Sequence, residues 1–205
     1  MTAIQAPRPR PGLLDIDPYV GGEAKAVPHP QLGRPIRLAS NEGAFGPSPK
    51  ATAAYRELGG EIHRYPDGGC SALRQALAGR FGLDAERIVA GAGSDELIAL
   101  LAKSYAGPGD EVLYSRHGFL MYAIAAKAVG ATPVAAPEAE LRTDVDALLA
   151  RVTPRTRILF LANPNNPTGY LLPKAEVERL HAALPPDVIL ALDAAYAEYI
   201  DDPEY

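Results

Sequence analysis

The sequence predicts an α/β protein with a mostly parallel sheet, and three observations support this prediction. Two short apolar runs, residues 158–162 and 188–192, are bounded by turn residues, which is typical of strands buried on both faces of a parallel sheet. From Ser71 onward, helical and strand patterns alternate along the chain. The 205 residues are 47% hydrophobic and 22% charged, a composition that supports one sizeable globular core.

The composition also narrows the classes of function. A net charge of −5 and a pI near 5.4 give no reason to expect nucleic-acid binding. The single cysteine, Cys70, excludes an intrachain disulfide framework, so a reducing cytoplasm is the predicted location. The sequence shows no secretory leader pattern, no apolar run long enough to span a membrane, no tandem repeat and no metal-ligand cluster.

The elements are predicted in order from turn residues and apolar periodicity. Residues 1–37, rich in Pro and Arg, predict an irregular N-terminal arm with at most a short helix, and residues 38–205 form the following domain. Gly82 is expected to end a helix that carries Leu73, Leu77 and Phe81. The other predicted helices are 49–58, 97–105, 120–129, 143–150 (with Thr143 as N-cap) and one from Pro173 to residue 184. Strands are predicted at 88–90, 111–114, 132–136, 158–162 and 188–192.

The loop after the first apolar run carries the strongest functional signal. Residues 163–169 read N-P-N-N-P-T-G, and each X-Pro step keeps Asn163 and Asn166 out of helical conformation. A stiff polar loop at the carboxyl end of a parallel strand lies where open α/β sheets bind ligands. The alternative is a turn that only reverses the chain.

The second apolar run ends on a carboxylate, Asp193, with Tyr196 shortly after it. A carboxylate at the end of a buried strand must be solvated, paired or bound to a ligand. Upstream, residues 91–96 read G-A-G-S-D-E and open a helix, where free N–H groups and the helix dipole favour an anion. Glu96 stands where a dinucleotide fingerprint has its third Gly, and no P-loop lysine is present. The alternative is a plain helix cap with Ser94 as N-cap.

Together, these segments resemble the fold-type I, pyridoxal-phosphate-dependent aminotransferases. Residues 163–169 and 193–196 (D-A-A-Y) are similar to two signature segments of that family, and 91–96 to a third. Residues 38–49, L-A-S-N-E-G-A-F-G-P-S-P, narrow the resemblance to the histidinol-phosphate aminotransferase branch, with Gly43 and Ala44 where that branch often has Asn-Pro. Residues 18–22 resemble its arm motif, with Gly21 where Pro is usual.

The resemblance implies a three-layer αβα large domain, truncated before the C-terminal small domain, with pyridoxal phosphate as cofactor. It implies transamination between histidinol phosphate and 2-oxoglutarate by a cytoplasmic homodimer, with no nucleic-acid or membrane partner. Two alternatives stay open. One is another enzyme of this fold, acting on aromatic amino acids or decarboxylating an amino-acid phosphate. The other is a non-catalytic, cofactor-binding or dimer-forming fragment or pseudoenzyme.

The resemblance also assigns a role to each matched residue. The expected catalytic residues are Asp193, which would pair with the pyridine nitrogen, and Asn166 and Tyr196, which would hydrogen-bond the ring O3′. The expected cofactor contacts also include Phe119 stacked on the ring and phosphate contacts from Gly93, Ser94, Asp95 and, from a partner subunit, Tyr65. Asn41 and Tyr19 would contact the substrate. The alternatives are core packing for Phe119, an Asx-turn for Asn41 and a loosely packed tail for Tyr19. His117 is interpreted as a loop residue and not as a general base.

One expected residue has no match. The family binds its cofactor through a lysine that follows the Asp-x-x-Tyr segment. The five lysines of this chain all precede Asp193, namely Lys25, Lys50, Lys103, Lys127 and Lys174. The resemblance therefore covers about the first half of the catalytic unit, and the 205 residues alone are not expected to catalyse transamination.

Overall fold

The computed structural model describes residues 9–10, 12–18, 29–33, 41–43 and 45–202. The chain divides into two compact units. One comprises Met1–Pro18 with Gly91–Tyr205, and the other comprises Tyr19–Ala90. The predicted boundary between residues 37 and 38 lies in a stretch outside the described residues, so it stays a prediction.

Among its described residues, the smaller unit has two α-helices, α1 (Pro49–Glu57) and α2 (Ser71–Phe81). As predicted, α2 ends at Gly82, whose φ of 67° is the left-handed conformation that glycine adopts readily. The predicted strand at residues 88–90 is wrong. A 3-10 turn, Ala85–Arg87, precedes this segment, which forms no ladder among the described residues and leaves Val89 71% exposed. Three residues with strand preference are too few without a neighbouring strand to pair with.

The larger unit contains a four-stranded parallel sheet in the order β2-β1-β3-β4. Its strands are β1 (Glu111–Ser115), β2 (Thr132–Ala136), β3 (Thr156–Ala162) and β4 (Ile189–Asp193). Its helices are α3 (Ser94–Tyr105), α4 (Met121–Val129), α5 (Val145–Leu149) and α6 (Lys174–Ala183). The predicted α/β class with a parallel sheet is confirmed.

The side chains of β3 show why the sheet is covered on both faces. Ile158 and Phe160 are buried in one core with residues of α3 and α4, whereas Leu159 and Leu161 are buried in a second core with residues of α5 and α6. Because successive strand residues point to opposite faces, a continuous apolar run requires a helical layer on each side. The unit is therefore a three-layer αβα arrangement.

Two helix starts differ from the sequence prediction. Helix α3 begins at Ser94 and not at residue 97, and its N-cap is Gly93 rather than Ser94. Helix α5 begins at Val145 and has Asp144 as its N-cap instead of Thr143, because the Asp144 carboxylate accepts a hydrogen bond from the Ala147 N–H at 3.0 Å. A carboxylate there satisfies a first-turn amide and also favours the helix dipole.

The remaining elements agree with prediction to within two residues. A 3-10 turn, Leu13–Asp15, is the one helical element described in the predicted arm, and the Lys127 ammonium of α4 donates to the Asp15 carbonyl at 2.7 Å. Helix α6 begins directly after Pro173. In the described part of the chain, each helix is too short or too polar to cross a membrane.

Candidate active site

Neighbouring strands β1 and β3 direct the chain to opposite faces of the sheet. After β1 the chain continues into α4, which packs on the sheet face of Ile158 and Phe160. After β3 it continues into α6, which packs on the opposite face, that of Leu159 and Leu161. Such a divergence opens a crevice at the carboxyl ends of the two strands, which is where open α/β sheets bind ligands. The loops that follow β1, β3 and β4 meet at this edge.

A cavity of about 110 Å³ lies at this edge. It is lined by eight residues: Ser94, Phe119, Ala162, Pro164, Asn166, Asp193, Ala195 and Tyr196. Five of these were predicted from the sequence as site residues, and they come from four separate segments of the chain. A second, more apolar cavity of about 400 Å³ shares Ser94, Asp193 and Ala195 with the first. The structure therefore brings one carboxylate, one carboxamide, one phenol, one aromatic ring and one helix start to a common space.

The carboxylate of Asp193 is held by two donors. The Tyr122 hydroxyl donates to Oδ2 at 2.7 Å, and the Ala195 N–H donates to Oδ1 at 3.2 Å. The two oxygens of a carboxylate have about four lone-pair positions, so these two bonds leave acceptor capacity for a ligand. Asp193 can thus face a cationic or N–H group in the cavity while remaining anchored to the protein.

Tyr122 is a site residue that sequence reasoning missed. It lies in α4 and is fully buried, with its ring stacked on Phe160 at 4.7 Å between centroids and edge-on to Phe119 at 6.0 Å. Burial, the hydrogen bond to Asp193 and the charge of Asp193 raise the pKa of the Tyr122 hydroxyl far above its ordinary value of 10. The hydroxyl therefore stays protonated and remains a donor. Helical spacing alone indicates a buried residue here, and nothing local indicates its partner.

The three asparagines of the loop after β3 have different surroundings. Asn163 is buried and forms two bonds with Leu172, donating from Nδ2 to the carbonyl at 3.0 Å and accepting from the N–H at 2.8 Å. Asn165 is buried and donates to the His117 carbonyl at 3.1 Å, which ties this loop to the loop after β1. Asn166 is half-buried and lines the cavity. Both asparagine–proline bonds are cis.

The start of α3 reaches the cavity through Ser94. Ser94 lines the cavity, whereas its sequence neighbours Gly93 and Asp95 do not. Gly93 is the N-cap of the helix, and its φ of 87° is a backbone conformation that residues with a Cβ rarely adopt. The Glu96 carboxylate folds back to accept from the Ala92 N–H at 2.6 Å. This end of α3 has the dipole and the free amides that favour an anion.

A buried carboxylate supports the loop that presents Phe119. The Glu138 side chain is inaccessible to solvent and accepts hydrogen bonds from the Ser115 hydroxyl, the His117 N–H at 3.1 Å and the His117 Nδ1 at 2.7 Å. The loop is also tight at Gly118, where a Cβ would lie 2.9 Å from the Ser115 carbonyl oxygen. His117 thus has a structural partner, which agrees with its interpretation as a loop residue.

We expect Glu138→Gln to lower the free energy of unfolding by about 1–3 kcal/mol near pH 7, because a carboxamide cannot accept three donors as a carboxylate does. Burial raises the pKa of Glu138, but the bonds from Ser115 and His117 outweigh it and hold the pKa below its ordinary value of 4.5. The stabilisation is therefore fully present above pH 4.5 and is lost as the pH falls through the lowered pKa. Denaturant unfolding at a series of pH values measures this difference.

Glu140→Gln is the matched control for this measurement, since the Glu140 side chain is 81% exposed and its nearest charged contact, Arg142, lies at 3.9 Å. We expect a change of less than about 0.5 kcal/mol there. Equal losses in the two variants, or a Glu138→Gln loss that grows as the pH falls, would contradict the structural role of Glu138.

The roles of three further predicted site residues are not tested by this cavity. Asn41 and Tyr65 belong to the smaller unit, where Asn41 has a left-handed φ of 54° and Tyr65 is exposed. Tyr19 lies outside the described residues. The roles predicted for these three residues stay predictions.

Comparison with known proteins agrees with this geometry. The family described as aminotransferase class I and II matches residues 34–204. Histidinol-phosphate aminotransferases from Rhodospirillum centenum and Paramagnetospirillum magneticum are 63% and 64% identical to this chain, covering 98% of it and 55% of each relative. The chain thus spans about half the length of the curated relatives it matches.

Solved structures give the same result for the fold. The crystal structure of histidinol-phosphate aminotransferase from Sinorhizobium meliloti, in complex with pyridoxal 5′-phosphate, superposes with a TM-score of 0.81 at 33% identity, over 96% of this chain and 53% of that one. Alanine aminotransferase from Pyrococcus furiosus superposes with a TM-score of 0.67 at 25% identity, over 75% of this chain and 42% of that one. The chain belongs to the class I and II aminotransferase family.

Proposed function

We propose that the whole protein transfers an amino group between histidinol phosphate and 2-oxoglutarate, with pyridoxal phosphate as cofactor, in histidine biosynthesis. The observation that carries this proposal is the convergence of Ser94, Phe119, Asn166, Asp193 and Tyr196 on one cavity at the carboxyl edge of the sheet. The substrate follows from the two relatives above 60% identity, both named histidinol-phosphate aminotransferase. We further propose a cytoplasmic homodimer, in which Tyr65 reaches the site of the partner subunit.

The donor set of the cavity fits this cofactor. A pyridinium nitrogen needs an anion, which Asp193 supplies, and a phosphate needs free N–H groups, which the start of α3 supplies. The aromatic face of Phe119 matches a planar heterocycle. Asn166 and Tyr196 each carry a donor suited to a ring oxygen.

When bound, pyridoxal phosphate supplies an electron sink for removing a proton from the carbon that bears the amino group. The Asp193 carboxylate would keep a proton on the ring nitrogen, and two protein donors hold that carboxylate in place. The Asn166 amide and the Tyr196 hydroxyl would donate to the ring O3′ and orient the ring. Asn163 and Asn165 would act indirectly, because their bonds hold the loop that presents Asn166.

The cofactor lysine and the substrate-binding arginine are expected in the region of the longer relatives that this chain does not span. The intact mass of the protein produced from its native gene tests this expectation. A mass well above 21.7 kDa is expected, with a lysine downstream of the Asp-x-x-Tyr segment. A mass close to 21.7 kDa would contradict catalysis by this protein and favour the non-catalytic alternative.

The activity itself is tested on that purified protein with added pyridoxal phosphate. We expect glutamate to form from 2-oxoglutarate when histidinol phosphate is the amino donor, with phenylalanine and tyrosine as poorer donors. Transfer from the aromatic amino acids alone would favour an aromatic aminotransferase. Release of carbon dioxide from an amino-acid phosphate would favour a decarboxylase. Cofactor binding without turnover of any donor would overturn the enzymatic proposal.

A further inference from the structure

The hydroxyl of Tyr122 joins two elements that are distant in sequence. Tyr122 lies in α4 and Asp193 ends β4, so the bond of 2.7 Å between them spans 71 residues. The ring of Tyr122 is fully buried and is clamped by a parallel stack on Phe160 and an edge contact with Phe119. A phenylalanine would fill the same space in this core. The hydroxyl is therefore the part of the side chain that packing does not require.

The same side chain touches both groups that would hold the cofactor ring. Its hydroxyl donates a hydrogen bond to the Asp193 carboxylate. Its ring packs against Phe119 in a T-shaped arrangement, with 6.0 Å between centroids and an interplanar angle of 88°. Asp193 and Phe119 both line the cavity, and Tyr122 does not. Any shift of the Tyr122 ring is opposed by Phe160, whose side chain is itself 2% exposed. Tyr122, which does not itself line the cavity, thus sets the position of the Asp193 carboxylate relative to the Phe119 ring.

We infer that Tyr122 is a positioning residue, whose hydroxyl fixes the Asp193 carboxylate in the orientation that pairs with the protonated ring nitrogen of pyridoxal phosphate. This inference rests on the proposed function. It extends that function to a residue that touches neither cofactor nor substrate and acts through Asp193. The bond from the Ala195 N–H to the other oxygen, at 3.2 Å, is longer than the one from Tyr122. The Tyr122 hydroxyl is therefore the stronger of the two restraints on the carboxylate.

The test compares Tyr122→Phe with Tyr114→Phe in the protein produced from its complete gene. Tyr114 is a matched control, because it is half-buried in the same aromatic cluster, 6.3 Å from Tyr122 between centroids, and does not line the cavity. We expect Tyr122→Phe to weaken pyridoxal phosphate binding by about tenfold to a hundredfold, the range for a lost hydrogen bond to a charged group. Tyr114→Phe is expected to change it by less than about threefold.

A spectroscopic readout separates positioning from simple packing. The absorbance of the bound cofactor changes with pH, and a cationic ring nitrogen disfavours a second positive charge nearby. When Asp193 pairs less well with the ring nitrogen, that nitrogen carries less positive charge, and a neighbouring group keeps its proton to higher pH. The midpoint of the absorbance change should therefore move to higher pH. Tyr122→Phe is expected to show this shift and Tyr114→Phe is not. Equal midpoints in the wild type and Tyr122→Phe would overturn the inference.

A double-mutant cycle with Asp193→Ala, which leaves Tyr122 no side-chain acceptor at this position, keeps the inference testable even where Tyr122→Phe lowers stability. If Tyr122 acts through Asp193, adding Tyr122→Phe to Asp193→Ala should change cofactor affinity by less than about twofold, whereas independent effects would add fully. Full additivity would overturn the positioning role. A wild-type protein that binds no pyridoxal phosphate would overturn the proposed function itself. Normal binding by both the wild type and Tyr122→Phe would overturn only the inference about Tyr122.

Discussion

Asp193→Asn should lower kcat/KM for amino transfer by about a thousandfold in the protein produced from its complete gene, because it removes the charge that faces the cavity. The carboxamide has nearly the same shape and can still accept a hydrogen bond from Tyr122 through its oxygen. The substitution therefore tests the charge while the fold is kept. Steady-state kinetics with histidinol phosphate and 2-oxoglutarate measure the loss, and denaturant unfolding shows that the protein remains folded.

Asp187→Asn is the control for this substitution. Asp187 precedes the amino end of β4, at the opposite end of the strand from Asp193, and its exposed carboxylate pairs with Arg157 at 3.3 Å. Exposed ion pairs contribute little, so kcat/KM should change by less than about twofold. An Asp193→Asn variant that retains activity within about tenfold of the wild type would remove Asp193 from the catalytic group.

Asn163→Ala should lower the free energy of unfolding by about 2–5 kcal/mol, because it leaves two buried backbone groups of Leu172 without partners. Asn163 is 1% exposed and Leu172 is 3% exposed, so water cannot replace the lost bonds without opening the loop. Equilibrium unfolding in urea, followed by circular dichroism, measures the change. The same bonds shape the loop that presents Asn166, so activity should fall as well.

Asn166→Ala separates the two roles of this loop. Asn166 is half-buried and lines the cavity, so its loss should change the free energy of unfolding by less than about 0.5 kcal/mol. We expect kcat/KM to fall by about a hundredfold, because a donor to the cofactor ring is removed. Similar stability losses for Asn163→Ala and Asn166→Ala would contradict the division of the loop into a supporting and a cavity-facing asparagine.

Most of the fold could be predicted because its signals are local. The apolar runs that form β3 and β4, the glycine that ends α2 and the proline that precedes α6 each act through their own backbone conformation or their immediate neighbours. The prediction of a strand at residues 88–90 was wrong because strand formation there depends on a contact that is not local. These residues prefer an extended backbone, but a strand also needs a paired neighbour, and that is a non-local property.

Five residues of the candidate site were also predicted from sequence. Ser94, Phe119, Asn166, Asp193 and Tyr196 each end a strand, lie in the loop after one or open a helix, and parallel strands bring their carboxyl ends to one edge. The supporting residues were not predicted. Glu138 holds the loop of His117 from 21 residues away, and its position after β2 gives no local sign of that partner.

By itself, the sequence determined the α/β class, the family resemblance and five of the eight residues that line the cavity, since these depend on periodicity, turn chemistry and short motifs. The tertiary structure alone decided the strand order, the different surroundings of Asn163 and Asn166, and the pairing of Tyr122 with Asp193. The physical reason is that helical spacing buries Tyr122 whatever its hydroxyl meets. Only the packing of α4 against the sheet brings that hydroxyl to a carboxylate 71 residues further along the chain.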